Sequence, residues 1–381
     1  MNFSFTEEQT LLRDSLASYL SDHYAFEQRR AAIKSAAGWR PQVWKAFAED
    51  LGILGATFPE DVGGLGGGPT EQLVIMEELG KALVVEPYLA TVVIAGGFLQ
   101  RAKPAAAGDL LGRIVAGQAT FAFAYAEPQG RYCWHDLATT ARKDGAGYVL
   151  NGMKAVVVGA PWASHLIVTA RTGGARRDQG GVSVFIVDAK APGVAMREYP
   201  TVDGARAAEV SFENVKLGAE ALIGPEGAAL PLIEAVIDEA TAAVCAEACG
   251  VLRRLHEGTV DYTKQRKQFG QPISQFQVLQ HRMVDMFIAF EQSVSMTYMA
   301  HVRLVEAAAE RAKAVSAAKV QIGRACRFVG QNAIQLHGGM GMTDEMAIGH
   351  YFKRATMIEA QFGNTDHHLA RYEGLSFGKA A

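Results

Sequence analysis

Residues 230–265 read LPLIEAVIDEATAAVCAEACGVLRRLHEGTVDYTKQ, a long Ala-rich run with apolar side chains on more than one helical face. A helix that is apolar nearly all round belongs inside a bundle or an oligomer, not on a surface. A second run of the same kind, SQFQVLQHRMVDMFIAFEQSVSMTYMAHVRLVEAAAE, begins at Ser274. Together they predict a helical bundle over residues 226–381.

Upstream the texture changes twice. Residues 1–118 read as helices: Thr6 and Gln9 have capping-box spacing, and Leu12, Leu16 and Leu20 follow on one face. The Gly-rich PEDVGGLGGGP (Pro59–Pro69) is expected to be a tight connection. No strand precedes it, and the G-x-G-x-x-G spacing of a phosphate cradle does not fit. Residues 119–225 hold short β-branched and aromatic runs, among them TFAFAYAE, AVVVGA, SHLIVTART, GVSVFIVD and AAEVSFENVKL, punctuated by Gly, Asp and Pro. They predict a small antiparallel barrel or sandwich between the helical parts, so the expected class is α+β, multidomain.

Composition removes several functions. The net charge is -3 over 381 residues, and no basic cluster is longer than RKQ or ARR, which argues against a nucleic-acid reader. No apolar run reaches about 18 residues, so no membrane span is expected. The start, MNFSFTEEQTLL, lacks the basic region of a leader, and cysteines are few; a cytoplasmic, reducing setting is expected. Cys245 and Cys249 are at i, i+4 spacing without a His partner. These two, Cys133 and Cys326 are read as buried thiols and not as a metal site.

Helices, then strands, then a helical bundle is the order of the acyl-CoA dehydrogenase family, and the chain resembles it along essentially its whole length. The likeness is carried by GILGATFPEDVGGLG, by Ala126–Pro128 and Leu150–Lys154, by VSFENVKL, by RKQFGQPISQFQVLQHRMVDM and by QLHGGMGMTDE. It implies FAD as cofactor, an acyl-CoA substrate oxidised at Cα–Cβ, a Glu base, and an electron-transfer flavoprotein as acceptor. It also implies that two subunits share each FAD. Arg266-x-x-Phe269-Gly270 and Gln335-x-x-Gly338-Gly339 match the two motifs that reach the ADP end of a neighbour's FAD. A guanidinium fork suits phosphate, a phenyl suits adenine or ribose, and paired glycines expose backbone N–H groups. The family's usual Leu is His337 here, read as a packing or interface residue.

The flavin-ring side departs from the pattern. The family's Thr-Glu-Pro is Ala126-Glu127-Pro128, its substrate-contacting Ser region holds Tyr132, Cys133 and Trp134, and its Trp-Ile-Thr is Val156-Val157-Val158. Valine offers surface but no hydroxyl donor. At the usual base position the aligned glycine puts Phe362, followed by Gly363 and Asn364. The alternative base position falls on Ala240. Glu239 is one residue, about 100°, away from it, and Glu247 lies two turns along the same face. These two are the weak base candidates, whereas Asp366, His367 and His368 are read as helix-start or interface residues. A positioned base is worth about 10²–10⁴ in rate, so the expected role is the incomplete subunit of an α2β2 heteromer beside a second acyl-CoA dehydrogenase subunit. Within the family the resemblance is nearest to the small subunits of heteromeric pimeloyl-CoA dehydrogenases. The alternatives are a self-sufficient homotetramer with a relocated Glu base, a flavin monooxygenase or oxidase on the same fold, and an acyl-CoA-sequestering protein.

Overall fold

A computed structural model describes residues 5–378; the first four residues, part of the stretch read for a leader, lie outside it. In chain order the main elements are α1 (Glu7–His23), α2 (Phe26–Lys34), α3 (Pro41–Glu49), α4 (Pro69–Ala82), α5 (Gly96–Ala102) and α6 (Ala107–Val115), then β1 (Phe121–Ala124), β2 (Thr140–Asp144), β3 (Gly147–Val158), β4 (His165–Arg171), β5 (Val182–Asp188), β6 (Val194–Pro200), β7 (Arg206–Leu217) and β8 (Leu222–Ile223). After these come α7 (Leu230–Gln265), β9 (Lys267–Gln268), β10 (Gln271–Pro272), α8 (Gln277–Val302), α9 (Ala308–His337), α10 (Ala347–Ala360) and α11 (Thr365–Phe377). The chain divides into two compact units. Met1–Ala32, Pro69–Val84 and Thr241–Ala381 form one, Ile33–Gly68 and Val85–Ala240 the other.

The first unit is a helical bundle in which α9 packs on α8, α10 and α11, and α1 on α4. The length of α7 follows from its composition: Val244, Cys245, Ala248, Val251 and Leu252 on several faces are all fully buried. It meets α4 backbone to backbone. A Cβ at Gly80 would overlap the Glu247 carbonyl, and one at Gly250 would overlap the Glu77 carbonyl, so only glycine permits the approach. Thr6 and Gln9 form the expected capping box, with reciprocal bonds of 3.2 and 3.1 Å. Burial raises the thiols of Cys245 and Cys326 to about 12 and raises Cys249 as well. Cys133 corrects the expectation of four buried thiols: it lies on a loop and is exposed.

The second unit carries an eight-stranded sheet in the order β6-β7-β3-β2-β4-β5-β8, with β1 also on β4. The neighbours are antiparallel except that β1, and β2 through the single pair Thr140–Arg171, run parallel to β4, which the hairpin-like spacing of the sequence did not show. Leu150, Val157, Leu166, Val168, Phe185 and Val210 fill its core. The Gly-rich segment is a tight connection, as expected. Its amides bond back onto the chain, Leu65 to Gly55, Gly66 to Phe58 and Gly67 to Ala56, leaving none of these three for a phosphate.

One ion pair is enclosed by this unit. The Lys154 Nζ lies 2.7 Å from Glu127 Oε1 and also reaches Thr169 Oγ1 at 3.1 Å, while Glu127 accepts from the amides of Ala138 and Thr139. Both side chains are almost fully buried. Burial alone would push the Glu127 carboxyl up; the Lys154 ammonium and the hydrogen bonds outweigh it and hold the pKa at about 2. Lys154→Met strands that carboxylate, with an expected loss of about 3–5 kcal/mol in denaturant titration, largely recovered by adding Glu127→Gln. The folded carboxyl stays ionised to about 2, against 4.5 for an ordinary one. Its contribution is therefore whole from pH 4.5 up to about 8, where burial makes the Lys154 ammonium give up its proton, and fades as the pH falls below 4.5, which stability curves measured against pH will show.

Candidate functional site

At the end of α7 the chain turns through Phe269 and Gly270, both at positive φ (54° and 80°), and β9 pairs with β10. Phe269 stands 91% exposed at the tip, and Arg266 is exposed at the neck. The neck is fixed by the Arg266 backbone, whose N–H donates to Tyr262 and whose carbonyl accepts from Ile273 at 2.8 Å. At the end of α9, Gln335, Gly338 and Gly339 are exposed, and a Cβ on either glycine would meet nothing within 4 Å. A ligand can therefore approach this backbone closely, although the Gly338 N–H already donates to the Gln335 carbonyl. The two motifs are brought together by a contact the sequence did not announce. The His337 ring stacks on Tyr262 at 4.2 Å, and the Tyr262 hydroxyl donates to the His337 carbonyl. His337 is buried and its Nδ1 bonds the Ala333 carbonyl; burial lowers its pKa. It is a packing residue.

In the sheet unit, β3 bulges between Lys154 and Val157. Val156 there has φ 51°, an outlier for a β-branched residue. Val156 and Val158 are 49% and 40% exposed, whereas Val157 is buried. The bulge is anchored through the Ala155 N–H, which donates to the Ala126 carbonyl at 2.8 Å. None of Ala126, Val156 and Val158 carries a side-chain donor. Trp134 packs on Tyr125, and Tyr125 stacks on Phe123.

The positions where a base would stand are apolar or committed. Phe362 is 3% exposed with φ 59°. Its turn is fixed from several sides: Lys319 Nζ donates to the carbonyls of Glu359 and Gly363 at 2.9 and 2.7 Å, and His368 Nε2 lies 3.2 Å from the Phe362 carbonyl. Asn364 caps α11 by accepting from the His367 N–H, so Asp366, His367 and His368 do begin a helix. Burial, with Lys319 and His367 nearby, pulls His368 down to about 2, and the ring is neutral. Ala240 is fully buried. Glu247 is held by Arg354 through two bonds of 2.5 and 2.6 Å, and Glu239 pairs with Arg101 at 2.7 Å. Neither Arg354 nor Lys319 was singled out in the sequence. Both sit on helices far along the chain from their partners, so no spacing signals them.

Three family models cover the chain in order: acyl-CoA dehydrogenase N-terminal domain over residues 6–118, middle domain over 122–215 and C-terminal domain over 230–372. It is 30% identical to acyl-CoA dehydrogenase FadE12 of Mycobacterium tuberculosis over 91% of this chain and 90% of that one. It is 29% identical to the probable acyl-CoA dehydrogenase YngJ of Bacillus subtilis over 96% and 97%. Among solved structures, it resembles the ChsE4-ChsE5 complex of Mycobacterium tuberculosis (TM-score 0.89, 27% identity, 99% of each chain) and the FAD complex of PigA (TM-score 0.89, 25% identity, 98% of each chain). The chain belongs to the acyl-CoA dehydrogenase family, whose cofactor is FAD. Its residues fit the cofactor unevenly. The exposed guanidinium, the exposed phenyl and the uncrowded glycines suit the ADP end, but the exposed valines give the ring no side-chain donor. Glu247→Gln breaks a buried charge pair, with an expected stability loss of about 3–5 kcal/mol by thermal or chemical denaturation. Replacing both partners with Leu and Met recovers most of it.

Proposed function

We propose that this chain is the catalytically incomplete subunit of a heteromeric, α2β2 acyl-CoA dehydrogenase and contributes the ADP-side contacts to the FAD of its partner. The observation that carries this is an imbalance between what the chain displays and what it encloses. Arg266, Phe269, Gln335, Gly338 and Gly339 are all exposed, while the base positions hold a buried Phe362 and a buried Ala240. The family chemistry removes a Cα proton and a Cβ hydride from an acyl thioester, and FAD, when bound, supplies the hydride acceptor. In this assignment Arg266 holds pyrophosphate oxygens through its fork, Phe269 packs on the adenosine, and the Gly338–Gly339 backbone lets the phosphates approach closely, the Gly338 N–H itself being spent on the Gln335 carbonyl. The partner supplies the base and the ring pocket. The likeness to a structure described as a complex of two named chains, ChsE4-ChsE5, supports a heteromeric assembly.

At a finer level, HYFKRATMI and FGNTDHHL give the chain a resemblance to the small subunit of pimeloyl-CoA dehydrogenase, and a pimeloyl-type acyl-CoA is the proposed substrate class on that ground. An electron-transfer flavoprotein is the proposed acceptor and the cytoplasm the proposed setting. The alternative is a self-sufficient homotetramer using Glu247 or Glu239. It would require Arg354 or Arg101 to release its carboxylate.

Co-expression with the second acyl-CoA dehydrogenase subunit is expected to give a complex with flavin and acyl-CoA turnover, and the lone chain little of either. Arg266→Ala in this chain should cut the complex's flavin affinity about 10-fold or more, the worth of one charge-assisted bond, without preventing assembly. Full flavin occupancy and turnover by the isolated chain would falsify the proposal.

A further inference from the structure

The bundle unit holds a cavity of about 310 Å³ lined from α1, α4, α7 and α8, at the small end of the range for ligand pockets. None of its residues is among those assigned above to FAD or to the base. On α4, Lys81 lies 2.6 Å from Glu78 and 3.2 Å from Glu77, and both carboxylates are buried. Arg253 on α7 reaches Glu77 at 3.3 Å. Arg13 on α1 has its Nε 3.2 Å from Asp14, which is 64% exposed. A Cβ at Gly250 would overlap the backbone of Glu77 and Lys81, so α4 and α7 fix this wall before anything binds.

The donors here outnumber the bonds they make. Arg253 makes a single hydrogen bond among the described residues, to Glu77, and its Nη1 stands 4.0 Å from Glu257, beyond hydrogen-bond reach. The Nη groups of Arg13 and the hydroxyl of Tyr298, on α8, donate to nothing among the described residues. Burial, with the Glu77 charge, holds that hydroxyl up at about 12, so at neutral pH it keeps its proton and is a donor. The charges of Arg13 and Arg253 also act on it, as they do when three groups surround one space. Two guanidinium groups and one ammonium thus face two buried carboxylates, while Asp14 at the rim is screened by solvent. One positive charge is left over. Phe5, Ala17 and Val74 supply an apolar wall beside it.

We propose that this cavity binds a small organic monocarboxylate. Its carboxylate is held by Arg13, Arg253 and the Tyr298 hydroxyl, and its hydrocarbon body lies on Phe5, Ala17 and Val74. A carboxylate accepts guanidinium N–H groups in pairs, and one negative charge matches the one in excess. A phosphate dianion would exceed it and be repelled by Glu77 and Glu78. Lys81 neutralises those two acids and so lets an anion enter.

Calorimetric titration of the full-length chain tests this with hexanoate, its neutral amide hexanamide, and inorganic phosphate. Hexanoate should fill one site per chain with a Kd of about 1 mM or tighter. Hexanamide should bind about 10-fold or more weakly, and phosphate should not compete. Arg13→Gln, at a half-buried position whose only bond is to an exposed carboxylate, should erase most of the preference for the acid. Ala17→Leu keeps every charge and a good helix former but fills the cavity, and should abolish binding of both ligands. No saturation below about 10 mM, equal affinity for acid and amide, or competition by phosphate would overturn the assignment. So would wild-type hexanoate affinity in either variant, which places the ligand elsewhere on the chain.

Discussion

The salt link between Lys154 and Glu127 fixes the part of the sheet unit on which everything else is mounted. It ties the bulged strand β3 to the segment after β1, and through the Ala138 and Thr139 amides it also sets the start of β2. The loop bearing Trp134 and Asp136 is strung between these anchors. A charged pair in a dry interior adds little net stability over a matched apolar pair, but it tolerates only one arrangement of its partners. The same bulge places Val156 in a left-handed conformation, a strain of about 1–3 kcal/mol that persists because the surroundings over-determine it.

A second over-determined turn marks the bundle unit. Phe362 also sits at positive φ, held by a buried lysine, a neutral histidine and a capped helix. The framework that would aim a carboxylate is intact, although the side chain it aims is a phenyl. On the proposed reading the change is chemical and not architectural: the turn is kept and only the side chain differs.

Much of this could be read from residue order alone. The texture shifts near residues 118 and 225 and the Ala-rich α7 announced helices, strands and helices, because periodicity and β-branching are local properties. The motifs at Arg266 and Gln335 were legible because they match a family phrase, and Phe362 and Val156–Val158 because they depart from one. What stayed hidden was long-range. The Glu247–Arg354 pair, the Lys319 bonds and the cavity beside Tyr298 each join residues whose nearness is set only by tertiary packing. The parallel β1–β4 pairing was missed for the same reason: strand direction depends on topology, not on composition.

The distribution of thiols has a practical side. Cys245, Cys249 and Cys326 are buried with raised pKa values, and Cys133 alone among them is exposed. Since only thiolate reacts readily, the native chain offers a single chemical handle. It lies three residues before Asp136, so a fluorophore attached there reports on that loop with no engineered substitution.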